Sequence, residues 1–254
     1  MGVKTVIGRD ELTPFLDIRT LRATDHGVRD TVYIVNDTLV LKLFEESDLS
    51  TVREELRLLE RCASLPVPKT ASDILTIREK PALLYHKCSG ANLQNATLEE
   101  IRQIGAFLKG FHSLTQGEKS TNKRLFENNR LYALIEQTGH RPFYELFERL
   151  ALTLQNDGII HGDLFLDNAS FSEGKLTCVY DLSEACNGDF LLDLAVVALS
   201  WCGNDEERAA LLESYGHPVT LEAFREYIRY AGLYYSVTRF LAGRNFDNLW
   251  EKIQ

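Results

Sequence analysis

Long apolar runs are missing from this 254-residue chain. The longest, Leu194 to Cys202, falls far short of the roughly 20 residues that cross a bilayer, so no membrane partner is expected. Positive charge is in deficit, with 28 Lys and Arg against 37 Asp and Glu and a net charge of −9. That balance repels a phosphate backbone, and the densest basic group, Lys119, Lys123 and Arg124, is too thin to oppose it. No nucleic-acid partner is expected. The five cysteines form no CxxC pair and mostly lie among apolar residues, which excludes a zinc ribbon and reads as reduced thiols in a cytoplasmic protein. There is no Ser-centred elbow and no His-Glu-x-x-His spacing among the six histidines, which argues against the common hydrolases. Internal repeats and low-complexity segments are also lacking, and nothing in the sequence bears on oligomeric state.

What is present divides near residues 86 to 92. Val32-Tyr33-Ile34-Val35 and Leu39-Val40-Leu41-Lys42-Leu43 flank Asn36-Asp37 and predict a hairpin. A helix follows over Ser50 to Ala63, with Ser50 as its cap, until Pro66 and Pro68. Ile74 to Ile77 and Ala82 to Tyr85 read as two more strands. Beyond Gly90 the periodicity turns helical over Leu98 to Leu114, over Arg130 to Gln155 with breaks near Gly139 and Pro142, and from Leu191 to Ile253. One β-rich island, Gly158 to Tyr180, interrupts the helices. The expected fold is α+β and bilobal, with a small β-rich N-lobe over residues 1–88 and a larger α-rich C-lobe over 89–254.

Inside the island lies His161-Gly162-Asp163-Leu164-Phe165-Leu166-Asp167-Asn168. Phosphoryl transfer to a hydroxyl requires a group to take the hydroxyl proton and hard oxygens to hold Mg²⁺. Asp163, with four residues between it and Asn168, matches that catalytic-loop spacing. A bare Asp-x-x-x-x-Asn is common, but here the residues after Asn168 predict a hairpin turning at Glu173-Gly174 and ending at Asp181. A hairpin returns its ends to one place, so Asn168 and Asp181 are the expected metal ligands. His161 is expected to organise the loop backbone rather than carry protons.

Lys42 interrupts an apolar strand and shares a face with Val40 and Phe44, which suits a cation aimed at nucleotide phosphates. Glu54, Glu55 and Glu60 are its candidate partners on the following helix, with Glu55 favoured by spacing. The turn at Gly27 and the hydroxyl of Thr31 are further candidates for phosphate contact, although a single glycine matches neither a Gly-rich kinase loop nor a Walker A motif.

The catalytic-loop run, Val179 to Asn187 and Asp193-Leu194-Ala195 resemble the aminoglycoside phosphotransferase and choline kinase superfamily. Segments around Lys42 and Ile104 to His112 fall where that superfamily has matching ones. The resemblance implies a protein-kinase-like fold binding ATP between its lobes with Mg²⁺, the adenine against the backbone of His86 and Cys88, a Lys42–Glu55 ion pair, and Asp193 bracing the loop. The stretches Ala185 to Cys202 and Ala231 to Phe240 are most similar to the homoserine kinase of that fold, with Gly162 for the usual alanine and Leu166 for the usual arginine. The expected acceptor is therefore a small-molecule alcohol, first L-homoserine, its ammonium near Asp181, Glu184 and Asp189 and its carboxylate on Arg239. An aminoglycoside- or choline-type kinase is the alternative within the superfamily. A nucleotide-binding pseudokinase or regulatory module is the alternative outside catalysis.

Overall fold

A computed structural model describes residues 3–24, 29–122 and 124–254. It divides into two packed units: residues 1–89 with Thr177–Ser183, and Gly90–Leu176 with Glu184–Gln254.

Alternation builds the first unit. Its strands β1 (Leu21–Ala23), β2 (Thr31–Val35), β3 (Leu39–Leu43), β4 (Leu75–Ile77) and β5 (Lys80–His86) form an antiparallel sheet in the order β1-β2-β3-β5-β4. Tyr33, Val35, Leu41, Leu43, Ala82 and Leu84 point to one face and join Ile7 and Leu12 in a buried cluster. Successive side chains of a strand face opposite ways, so Val40 and Lys42 are left on the other face, where Val40 pairs with Tyr85 and Lys42 with Leu83. The β2–β3 turn places Asn36 and Asp37 at φ 52° and 59°, the left-handed geometry that the twist of a tight hairpin favours. Helix α1 spans Leu49–Arg61. Its cap is Asp48 rather than Ser50: Asp48 Oδ1 accepts the Thr51 N–H at 2.9 Å, and the Ser50 hydroxyl merely supports that carboxylate at 2.6 Å.

The second unit carries helices α2 (Leu98–Thr115), α3 (Asn128–Thr138) and α4 (Arg141–Arg149), then β6 (Gly158–Ile160), β7 (Ala169–Ser172) and β9 (Cys186–Gly188), while β8 (Lys175–Val179) begins in it and ends in the first unit. Helices α5 (Phe190–Trp201), α6 (Asp205–Tyr215), α7 (Leu221–Leu241) and α8 (Asp247–Trp250) complete it. Thr97 and Glu100 cap α2 reciprocally, each satisfying a donor that the helix leaves unpaired. Gly139 ends α3 in the left-handed conformation at φ 61°. Pro142 does not break a helix, however; it stands in the first turn of α4, where its missing N–H costs nothing. Strands β7 and β8 pair as a two-stranded ribbon turning at Glu173 and Gly174, both at positive φ. Strand β9 pairs with β6 and is new relative to the sequence reading, since Cys-Asn-Gly has the composition of a turn. Helix α5 is buried along nearly all its length, as an almost wholly apolar helix must be.

The expectation that all five cysteines are reduced is corrected. Cys88 and Cys178, 90 residues apart in sequence and both in the first unit, are joined as a disulfide. Spacing along the chain cannot reveal such a pair, because the fold brings the two residues together. Cys62, Cys186 and Cys202 are buried thiols, and burial pushes them up to about 11, 11 and 12. For Cys202 the nearby Glu207 charge adds to the effect of burial.

Candidate active site

Lys42 is held by strand register and ringed by acids. Its ammonium, on a residue only 8% exposed, lies 2.7 Å from Asp181 Oδ1, 3.4 Å from Glu55 Oε2 and 3.5 Å from Asp30 Oδ2. It also lies 4.7 Å from the centre of the Phe44 ring. Of the three candidate glutamates on α1, Glu55 reaches the lysine, Glu54 turns to Arg57 at 2.8 Å, and Glu60 is exposed. Tyr85 donates to Glu55 Oε1 at 2.9 Å and fixes the second carboxylate oxygen. Burial alone would lower Lys42, but Asp181, Glu55 and Asp30 together outweigh it and hold the ammonium above its ordinary value. The same burial pushes Glu55 up against the attraction of Lys42. Both directions follow from three carboxylates sharing one cation.

Asp30 escapes the sequence reading, although strand parity could have found it. Thr31 pairs with Leu43 and Val32 with Lys42, so Asp30 continues the face that Lys42 occupies. Thr31 itself faces the other way, and its expected role at a phosphate is corrected. Its buried hydroxyl accepts the N–H groups of Lys4 and Thr5 at 2.9 and 3.1 Å and donates to Glu45. Gly27 lies outside the described residues. At the end of β5, the His86 N–H donates to Lys69 O and the Lys87 N–H to Thr38 O, both at 2.8 Å, and Cys88 is in the disulfide. Asp181 takes a left-handed φ of 66°, and its Oδ1 also accepts the Ser183 hydroxyl at 2.7 Å.

In the second unit the loop after β6 is organised by one buried carboxylate. Asp193, in the first turn of α5, accepts the His161 N–H at 2.8 Å on Oδ2 and the Gly162 N–H at 2.9 Å on Oδ1. His112 Nε2 lies 3.0 Å from the same Oδ2, and His112 Nδ1 lies 2.9 Å from the Tyr215 hydroxyl. Burial would raise Asp193, yet the hydrogen bonds from His112 and from the Gly162 amide hold it below its ordinary value. Gly162 adopts φ +79°, and a Cβ there would lie 3.2 Å from the Glu184 carbonyl oxygen. A left-handed turn is what points two successive amides at one acceptor.

The residues that follow are tied down from within the loop. His161 Nδ1 accepts the Asp163 N–H at 3.2 Å, and the Asp163 carbonyl accepts from Phe165 N at 2.8 Å and Asn168 Nδ2 at 2.7 Å. Asn168 Nδ2 also reaches Asp163 Oδ2 at 3.3 Å. The Trp201 indole N–H donates to Leu164 O at 3.0 Å, and Ser200 Oγ accepts the Leu166 N–H at 3.1 Å. Helix α7 adds two residues one turn apart. Tyr235 donates to the Gly162 carbonyl and meets Phe165 edge-on at 4.8 Å, while the half-buried Arg239 guanidinium lies 5.8 Å from the Phe165 ring centre. Burial lowers Arg239, and the charges of Asp163 and Asp167 oppose that. Glu184 is half-buried at the end of a short 3-10 turn, Leu182–Glu184. Asp189 is corrected as an acceptor contact: it is buried and caps α5, accepting Leu191 N and Gln155 N, each at 2.9 Å. Sequence reading misses Tyr235 because a tyrosine inside an amphipathic helix carries no motif.

A family model described as "Phosphotransferase enzyme family" matches residues 20–227. Homoserine kinase from Pseudomonas aeruginosa (strain LESB58) is 28% identical, covering 97% of this chain and 90% of its own. Homoserine kinase from Sinorhizobium fredii (strain NBRC 101917 / NGR234) is also 28% identical, covering 80% of this chain and 71% of its own. Among solved structures, the choline kinase LicA from Streptococcus pneumoniae superposes with a TM-score of 0.69 at 18% identity, covering 96% of this chain and 94% of that one. The GDP complex of wild-type aminoglycoside 2'-phosphotransferase-IIIa gives 0.69 at 17%, covering 95% and 93%. These likenesses carry the fold, which is the α+β, protein-kinase-like one.

Replacing Asp193 with Asn removes the charge and one acceptor while leaving the amides of His161 and Gly162 in place. Breaking such a buried charged network should cost about 3 kcal/mol in a denaturant titration. Because the folded Asp193 lies below its ordinary value, its contribution is complete above the ordinary carboxylate range and is lost as pH falls from there through the lowered folded value. The stability gap between wild type and Asp193→Asn should therefore narrow on acidification.

Proposed function

The chain belongs to the phosphotransferase enzyme family and is a small-molecule kinase, and on that premise we propose that it transfers the γ-phosphoryl group of ATP to the hydroxyl of L-homoserine. The observation that carries the reading is the Asp163 loop itself. A carboxylate whose backbone is fixed on both sides, with a guanidinium from α7 near the ring of Phe165, suits an acceptor bearing both a hydroxyl and a carboxylate.

In this reading Asp163 accepts the proton of the attacking hydroxyl and His161 holds the loop in register. Lys42, steadied by Glu55, positions the phosphates of the nucleotide, and the adenine lies against the backbone of His86 and Cys88. The amides of His86 and Lys87 are already committed, so the Cys88 amide is the donor proposed for the base. Mg²⁺, when bound, neutralises charge on the transferring group. The proposed ligands suit a hard cation: Asn168 commits its amide nitrogen to Asp163, which reserves its carbonyl oxygen for metal, and the Asp181 side chain is 41% exposed. Arg239 pairs with the acceptor carboxylate and Glu184 with its ammonium. The cytoplasm is the proposed location, since ATP is supplied there. An aminoglycoside- or choline-type acceptor is a polycation or cation, and Arg239 would oppose it. A pseudokinase reading is disfavoured because Lys42, Asp163, Asn168 and Asp181 are all retained.

Coupled ATP consumption over a panel of alcohols tests the acceptor: L-homoserine should be turned over, and choline and kanamycin should not. Turnover of either cation without L-homoserine would replace the acceptor assignment. Arg239→Ala should raise KM for L-homoserine about tenfold or more, as expected on losing a charge-assisted pair, with KM for ATP little changed. Asp163→Asn should lower kcat by about 10²–10⁴, the usual contribution of a general base; full turnover in that variant would remove Asp163 from the chemistry.

A further inference from the structure

If Asp163 is the base proposed above, on which all that follows rests, its carboxylate must be aimed as well as held. Around the loop, nearly every backbone group is spoken for. Asp193 takes the amides of His161 and Gly162, His161 takes the amide of Asp163, and Phe165 and Asn168 fill the Asp163 carbonyl. The Gly162 carbonyl is the acceptor of the Tyr235 hydroxyl. The peptide joining Gly162 to Asp163 is thereby held from α7 on one side and from His161 on the other. What these backbone bonds leave open is the torsion of the Asp163 side chain. Asn168 reaches one of its oxygens only at 3.3 Å, a long contact for a hydrogen bond to a charged group.

We propose that Tyr235 is a positioning residue for phosphoryl transfer, its phenol O–H shared between the Gly162 carbonyl and the Asp163 carboxylate so that the carboxylate is held toward the acceptor hydroxyl. The Asp163 carboxylate is a hydrogen-bonding neighbour of the same phenol. One proton serving two acceptors ties the side chain of Asp163 to the backbone of the residue before it. Burial, then the adjacent Asp163 charge, raises the phenol well above its ordinary value, so Tyr235 stays a donor throughout the working pH range. The ring is fixed independently of the hydroxyl: Phe165, Tyr234 and Phe126 surround it at 4.8, 5.3 and 6.2 Å. Tyr235 also stands one helical turn before Arg239, so a single face of α7 presents both the group that aims the base and the cation proposed for the acceptor.

Tyr235→Phe removes the hydroxyl and keeps the ring packing. With the acceptor that the wild type phosphorylates in the panel, kcat should fall about tenfold or more, while KM for ATP stays within twofold and the thermal midpoint stays near that of wild type. A mispositioned base should also waste nucleotide, so ATP consumed per phosphorylated acceptor should rise above one. Wild-type kcat and coupling in Tyr235→Phe would overturn the proposal. So would a parallel loss of kcat, ATP affinity and thermal stability, which would mark the hydroxyl as structural only. If the wild type phosphorylates no alcohol, the functional reading itself fails, a result distinguishable from either.

Discussion

Asp193 is a carboxylate with no exposed surface, and its two oxygens organise the second unit's loop. An ionised group in such a place would be prohibitively costly unless hydrogen bonds replaced the lost water. The replacements are two consecutive main-chain amides and an imidazole, together with the field of the α5 N-terminus, where Asp193 occupies the first turn. The dependence runs both ways. Consecutive amides can meet one carboxylate only if the chain between them turns sharply, and Gly162 supplies that turn at φ +79°. Remove the carboxylate and both amides of the turn lose their acceptor; remove the turn and the carboxylate loses its solvation.

The first unit solves a different electrostatic problem. Around Lys42 the acids outnumber the cation three to one. Such a cluster keeps the lysine protonated at the cost of repulsion among the carboxylates, which adds to burial in raising Glu55. Tyr85 eases part of that by donating to the most enclosed of them. Asp181 differs from the other two in being partly exposed and in standing on a left-handed backbone, a conformation that non-glycine residues occupy at some energetic expense. Of the three carboxylates, it is the one with the access to change partners.

How much of this is legible in the sequence depends on whether a feature is local. The Lys42 strand, the ribbon turning at Glu173-Gly174, and the Asp163–Asn168 spacing are written in short stretches with a fixed period, and the elements follow them. Helical spacing alone favours Glu55 over Glu54 and Glu60, and Glu55 is the one that reaches Lys42. Features that depend on distant parts of the chain meeting are not legible. Cys88 and Cys178 lie 90 residues apart, β9 becomes a strand only because β6 lies beside it, and Tyr235 reaches Gly162 from 73 residues away. Thr31 shows a third kind of error. Its residue type suits phosphate contact, but strand parity turns it inward to Glu45.

Gly162 and Leu166, where the resemblance to homoserine kinase would place alanine and arginine, differ in kind. Gly162 has a physical account. At φ +79° with a carbonyl oxygen 3.2 Å from any Cβ, alanine would carry both left-handed strain and a close contact, and glycine relieves them. Leu166 is different, because its amide is engaged by Ser200 but nothing in the structure explains its side chain in place of arginine. The guanidinium near this part of the loop belongs instead to Arg239, against the ring of Phe165, which immediately precedes Leu166. A cation on a helix is held more rigidly than one on a loop, so an acceptor carboxylate meeting Arg239 would be fixed relative to Tyr235 on the same helix face. On the function proposed above, acceptor selection would rest on α7 rather than on the Asp163 loop, and the loop motif by itself would not identify the acceptor.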